Sequence, residues 1–250
     1  MGRILKSTVE NKIKKGYEFR FGDYISEGFE IFKKEWVNFF LYAMVSSILI
    51  GIASITIIGL AFVLFPITLG FAVVADKISE GESIQFSDFF GAFKNFGQHF
   101  IVGLIYFLGY AMIIVPYVLI ILGALSSSSF IEDSPLLGVF FGGYMFLVMF
   151  FIVLLFLMQV LLFFSPFLIH FGDYSAIDAI KASIGLAKQN FWWLLLFVFT
   201  IGVLSSIGQY ACIIGVFATM PIAALSAYSL VKKELMNENH QEIDKIGSHI

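Results

Sequence analysis

The sequence predicts an all-α membrane protein: six transmembrane helices in three parallel hairpin repeats, each preceded by a cytoplasmic interfacial amphipathic helix. Three observations carry this reading. Of 250 residues, 59% are hydrophobic and 13% charged, against about half and about a quarter in an ordinary soluble domain, so lipid must solvate the apolar surplus. Lys and Arg are confined to alternate connections between the apolar runs. The tetrapeptide Phe-Gly-Asp-Tyr occurs twice, at 21–24 and at 171–174.

Residues 1–20 form a basic, mildly amphipathic cytoplasmic segment. It lies on anionic lipid or is a solvated tail. No short apolar stretch beside a small-residue cleavage site marks a signal peptide. A single six-span membrane domain follows over 21–231. The apolar run Trp36–Ala75 is too long for one span, since roughly 20 residues cross a hydrocarbon core of about 30 Å. It divides near Thr56–Gly59. The third span runs from about Phe100 to Leu125, ahead of a polar break at Ser126–Pro135. The fourth, from about Leu136 to Phe167, is overlong and must tilt or emerge into the interface. The run Phe191–Val231 divides at Ser205–Tyr210, and 232–250 reads as a flexible cytoplasmic tail.

Charge orients these spans. Of 15 Lys and Arg, eight precede Trp36. Lys77 and Lys94 lie between spans two and three, and Lys181 and Lys188 between four and five. Lys232, Lys233 and Lys245 follow span six. The opposite connections carry none, so the positive-inside rule places both termini in the cytoplasm.

Each hairpin is introduced by a one-sided helical pattern. Ile25, Phe29, Phe32 and Trp36 form the first stripe. Phe86, Phe89, Phe93, Phe96 and Phe100 form the second, and Ile177, Ile180, Ile184, Ala187 and Phe191 the third. Aromatic residues then lead into lipid. The second helix of each pair carries a proline, at Pro66, Pro166 and Pro221. The repeats cover approximately 21–77, 86–168 and 171–231. An even number of spans per unit keeps them parallel.

Asp23, Asp88 and Asp173 precede these stripes and read as helix caps, the carboxylate accepting a free N–H at the positive helix end. Ser175 and Asp178 fit a capping box. The alternative for the three Asp is a carboxylate ring binding a cation or a lipid headgroup. Pro66, Pro166 and Pro221 bend their spans, shaping the packing or opening a cavity. Gln159, within Leu154–Phe164, is the most conspicuous polar residue in a span. Interhelical hydrogen bonding is its default role and ligand contact the alternative. Gly138-x-x-x-Gly142 fits the small-residue pattern of close helix contact.

No Asp, Glu, Lys or Arg lies deep in a span, unlike proton-coupled pumps. His99 and His170 flank the middle unit, where boundary solvation explains them better than metal binding. The single Cys212 excludes an intrachain disulfide and a cysteine metal cage. No phosphate loop, zinc-protease motif or catalytic triad is present. The sequence implies no cofactor and no metal, and its net charge of −3 gives no reason to expect nucleic acid.

The stretches Tyr24–Leu41, Ser165–Leu196 and Cys212–Leu230 resemble the uncharacterised bacterial YciC-like integral membrane proteins. They are also similar to the membrane domain preceding some glycerophosphodiester phosphodiesterases. The matching pieces are Asp178–Ser183, Asn190–Trp193 and Gly215–Tyr228. The resemblance implies six helices in the bacterial inner membrane and brings no catalytic residues. The phosphodiesterase barrel is missing, so that activity is not carried over.

The expected function is non-enzymatic: binding, flipping or organising membrane lipid or a hydrophobic amphiphile. The alternatives are a small permease subunit for a weakly polar solute, and an assembly scaffold contacting other membrane proteins or itself, in part through the acidic Ile131–Pro135 segment.

Overall fold

The structure is a computed structural model that describes residues 4–131, 136–210 and 214–236. Among the described residues there is no strand. Five helical stretches are long and apolar enough to cross a membrane: Trp36–Ala53, Phe62–Ser79, Phe86–Gly123, Met145–Gly172 and Phe191–Tyr210. The chain is a polytopic membrane protein.

Ten α-helices carry the fold of the described residues. They are α1 (Lys6–Lys15), α2 (Phe21–Lys34), α3 (Trp36–Ala53), α4 (Ile57–Ser79), α5 (Phe96–Ile131), α6 (Leu136–Leu161), α7 (Ser165–Gly172), α8 (Ala176–Gln189), α9 (Phe191–Tyr210) and α10 (Val216–Val231). A 3-10 helix occupies Phe86–Asn95, and a π-helical turn closes the described chain at Lys232–Met236. The break between α3 and α4 falls at Ser54–Thr56, two or three residues before the expected Thr56–Gly59, so Gly59 lies inside α4.

Three other boundaries differ from expectation. The helix α5 runs through Ser126 to Ile131, and its 36 residues extend about 54 Å. Helix α9 likewise continues through Ser205–Tyr210, because Ser206 Oγ bonds back to Gly202 O at 2.9 Å instead of breaking the turn. The overlong fourth span is two helices, α6 and α7. Pro166 in the first turn of α7 has no N–H to continue α6. Ser183 of α8 then satisfies the opened backbone. Its hydroxyl donates to Leu161 O at 2.8 Å and accepts from Phe164 N at 3.1 Å.

Helix α10 is the centre of the bundle and packs against α2, α3, α4 and α9. Its 16 residues are fewer than a span of ordinary length. Pro221 and almost every residue from Ile222 to Val231 are buried. Glycine permits the close approach: a Cβ on Gly28 of α2 would lie 2.5 Å from Ser226 Oγ and 2.9 Å from Ser226 Cα. Gly70 of α4 faces Phe89 O and the Tyr42 hydroxyl just as closely, which seats the 3-10 helix on α4. Tyr42 stacks on Phe89 at 4.2 Å and meets Phe71 edge-on at 4.8 Å. A second aromatic knot surrounds Phe197, with Phe19, Phe21 and Tyr24 at 5.8–5.9 Å. It ties the segment before α2 to α9.

The three introductory stripes are only partly buried against the bundle. In α2 the buried residues are Tyr24, Gly28 and Ile31, while Phe29, and Trp36 at the start of α3, are exposed. In α8 they are Ala176, Ala179, Ser183, Leu186 and Ala187, while Ile177 is exposed. In the 3-10 helix three residues make a turn, so Phe89 and Ala92 share the buried column and Phe93 flanks it. Each segment therefore buries a face of mixed size, in which Gly28, Ala92, Ala179 and Ser183 sit among larger residues, and leaves part of its apolar stripe exposed beside it.

The ends of the described chain are docked. Ile4 N donates to Phe171 O at 2.8 Å, and Ile4 and Val9 are buried. Residues 4–15 are thus neither a free tail nor detached from the bundle. Glu234, Leu235 and Met236 are buried as well, so packing continues past residue 232. The remainder of the C-terminal segment, Pro135 and Cys212 lie outside the described residues.

Candidate functional site

Two regions hold the chemistry of the fold: a lateral cleft between α6 and α9, and a polar end where the charged segments meet.

The cleft has a volume of about 460 Å³ and is open along one side. Phe156, Val198, Phe199, Val203 and Ile207 supply apolar wall, and Gln159, Ser206 and Tyr210 supply polar groups. Gly202 keeps its floor open, since a Cβ there would meet nothing within 4 Å. Gln159 is exposed into this space and has no hydrogen-bond partner among the described residues. The expected proline sites are elsewhere. Pro66 is buried inside α4 and Pro221 inside α10, while Pro166 opens α7. Pro66, Pro166 and Pro221 shape the helix packing and do not line the cleft. Pro116, inside α5, lies outside the three-proline pattern.

The polar end gathers residues distant in sequence. Tyr24 donates its hydroxyl to Glu234 Oε1 at 2.8 Å, and Lys12 Nζ lies 3.5 Å from Glu234 Oε2. Glu234 is only 3% exposed. Glu27 accepts from Ser229 Oγ at 2.8 Å and pairs with Lys233 at 3.0 Å. Tyr228 donates to Asp76 Oδ1 at 2.8 Å and sits 3.1 Å from Ser79 Oγ. Asp76 is 2% exposed, so this carboxylate depends on its partners. These bonds join the beginning of the chain, the end of α4 and the end of α10. That is an electrostatic latch between segments, and every acid in it is engaged with a cation or a hydroxyl. Burial pushes the phenols of Tyr17 and Tyr24 above their usual range, and Tyr174 up to about 12.

The three aspartates take different positions. Asp23 lies in the first turn of α2, 3.9 Å from Lys233 Nζ, where its charge meets the helix N-terminus. Asp88 completes a capping box with Gln85, accepting from Gln85 N at 2.8 Å, and it pairs with Lys77 at 2.8 Å. Asp173 is the C-cap of α7 in the left-handed conformation, φ 52°. Ser175 caps α8, accepting from Asp178 N at 3.2 Å and donating to Asp178 Oδ2 at 2.7 Å. The three do not converge into a ring. Among the described residues no group of three or more His, Cys, Asp or Glu converges on a metal position.

His99 and His170 are a correction. Both are buried, and none of their ring nitrogens has a partner among the described residues. His170 lies in α7 and His99 near the start of α5, and these two helices pack together. Asn95 Nδ2 donates to Ile169 O at 2.9 Å, and Ala176 N donates to Gln98 Oε1 at 2.7 Å, clamping this crossing. Sequence reasoning missed the roles of Glu234, Asp76 and Ser183. The only available signal was an acid or hydroxyl just outside an apolar run.

Comparison with protein-family models, with curated proteins and with solved structures finds no match to this chain.

Proposed function

We propose that this chain is a non-enzymatic, six-span protein of the bacterial inner membrane that engages lipid or another hydrophobic amphiphile through the α6–α9 cleft. The cleft itself is the observation that carries the reading. Its volume falls in the usual range of ligand sites, and its wall is apolar with a few placed polar groups. A lipid-facing opening admits an acyl chain sideways, and Gln159 and Ser206 offer hydrogen bonds to an ester or hydroxyl.

In this reading α10 completes a sixth span, the three hairpins are parallel repeats, and both termini are cytoplasmic. The gathering of Lys12, Lys77, Lys232 and Lys233 with their acids at the polar end supports that orientation. The resemblance to YciC-like membrane proteins agrees with it.

The test is reconstitution of the full chain in vesicles with fluorescent phospholipid, together with mass spectrometry of copurified lipid. Lipid is expected to cross faster than in empty vesicles or to copurify. Gly202→Leu, which places a side chain in the open floor, is expected to abolish the effect. Rates equal to empty vesicles with no copurified lipid would falsify the proposal.

A second reading, a permease subunit for a weakly polar solute, is favoured by the presence of Gln159 and Ser206 on one cleft. It requires water there. Ser206→Cys, in a Cys212→Ser background, would then react with a membrane-impermeant thiol reagent in the reconstituted protein. Under the lipid reading it stays unlabelled.

A further inference from the structure

The corner where α1, α8 and α9 meet has a composition that the cleft does not explain. Helix α1 is fixed there by two side-chain bonds. Gln189 Nε2 donates to Ile13 O at 2.6 Å, and Asn190 Nδ2 donates to Tyr17 O at 2.6 Å. Ile13 also fills the space over Gly185, its Cδ1 lying 3.0 Å from where a Cβ would stand. These contacts set the last turn of α1, with Lys12, Lys14 and Lys15, beside the last turn of α8, with Lys188.

Lys12 is engaged by Glu234. Lys14, Lys15 and Lys188 are exposed, and among the described residues none of them meets a carboxylate within ion-pair distance. Glu10 and Glu18, the acids nearest along the chain, pair with none of the three. Directly after this corner α9 opens with Trp192, 77% exposed, and Trp193, 54% exposed. Indoles favour the level where hydrocarbon meets headgroup. Unpaired cations at the corner where α9 begins with open indoles complement one kind of molecule: an anion joined to a hydrocarbon chain.

We propose that Lys14, Lys15 and Lys188, with Trp192 and Trp193 at the start of α9, form a seat for the headgroup of an anionic phospholipid. The proposal rests on the membrane reading above but not on the cleft, which lies on another part of α9. A soluble anion would need the lysines and not the indoles. A polyanionic macromolecule would leave two large apolar rings in water.

The experiment uses the full chain with Trp36→Phe, so that Trp192 and Trp193 alone report. It is reconstituted in phosphatidylcholine discs containing brominated phosphatidylglycerol or brominated phosphatidylcholine, and quenching of indole emission is measured. Brominated phosphatidylglycerol is expected to quench at a lower mole fraction. With about fivefold preference per basic residue, three residues give a difference of up to about a hundredfold. The triple variant Lys14→Gln, Lys15→Gln, Lys188→Gln is expected to lose it, and the corresponding Arg variant to keep it. Size-exclusion chromatography verifies that both variants are folded.

Equal quenching by the two lipids overturns the seat while leaving the membrane reading intact. Quenching by neither overturns both. Reversal by millimolar inorganic phosphate would mean a site for a free anion, and a preference unchanged in the Gln variant would remove the three lysines from it.

Discussion

Ser183→Ala is the sharpest test of how the fourth apolar run is divided. The Ser183 hydroxyl is fully buried and serves two backbone groups at once, Leu161 O and Phe164 N. Alanine leaves a buried acceptor and a buried donor without that partner, and no water has ready access. Each such group costs about 1–3 kcal/mol. Partial relaxation of the turn lowers the pair to a total of about 2–4 kcal/mol. For a chain of this size about 1 kcal/mol moves the midpoint by roughly 2–4 °C, so a fall of about 4–16 °C is expected. The assay is the midpoint for loss of the monodisperse size-exclusion peak after heating in detergent. Ser206→Ala is the control. It deletes an exposed hydroxyl that only bonds back to Gly202 O, so its midpoint should stay within about 1 °C. If Ser183→Ala behaves like Ser206→Ala, the division of α6 from α7 does not depend on Ser183, and the hydroxyl is not what closes the opened backbone.

Other consequences can be checked alongside it. Tyr24→Phe removes the 2.8 Å bond to buried Glu234 and is expected to cost about 1.5–3 kcal/mol; an unshifted midpoint in the same assay would discount the latch. Gly28→Val forces a side chain onto the Ser226 backbone and should cost at least about 1–3 kcal/mol, whereas Gly22→Ala, with open space around it, should be neutral. Ser175→Ala deletes the cap of α8 at about 1 kcal/mol, so amide exchange over 176–179 should quicken, and unchanged protection counts against the cap. Alkaline titration follows from burial of Tyr174, which raises its phenol from 10.0 to about 12. The folded form holds that proton more tightly than the unfolded form. Stability is therefore intact below pH 10 and falls as pH rises from 10 to 12. Tyr174→Phe should flatten that fall, and an identical alkaline profile would contradict it.

The long apolar helices were legible because length and apolarity suffice to define them; the division of α6 from α7 was not. The hairpin near Thr56 was legible because a polar interruption marks it. The lateral face of each introductory helix was not. Lipid is as apolar as a protein interior, so hydrophobic periodicity cannot tell a surface that meets lipid from one that meets protein. Gly28, Ala179 and Ser183 weigh little on any hydropathy scale, yet their small size lets helices touch, and they select the protein-facing side. The burial of His99 and His170 was illegible for a related reason. It depends on the packing of α7 against the start of α5, which no local sequence pattern marks. Gln159 was singled out in the sequence, but its opening onto a cleft depends on the spacing of α6 and α9.

The length of α5 has a geometric consequence. A rod of about 54 Å cannot stand inside a slab of about 30 Å. To hide all of it, the axis would have to lean about 56° from the normal, beyond the usual range of about 0–40°. Even at 40° about ten residues are left over. The surplus must therefore leave the hydrocarbon, or the proline at 116 must bend part of the helix toward the membrane plane.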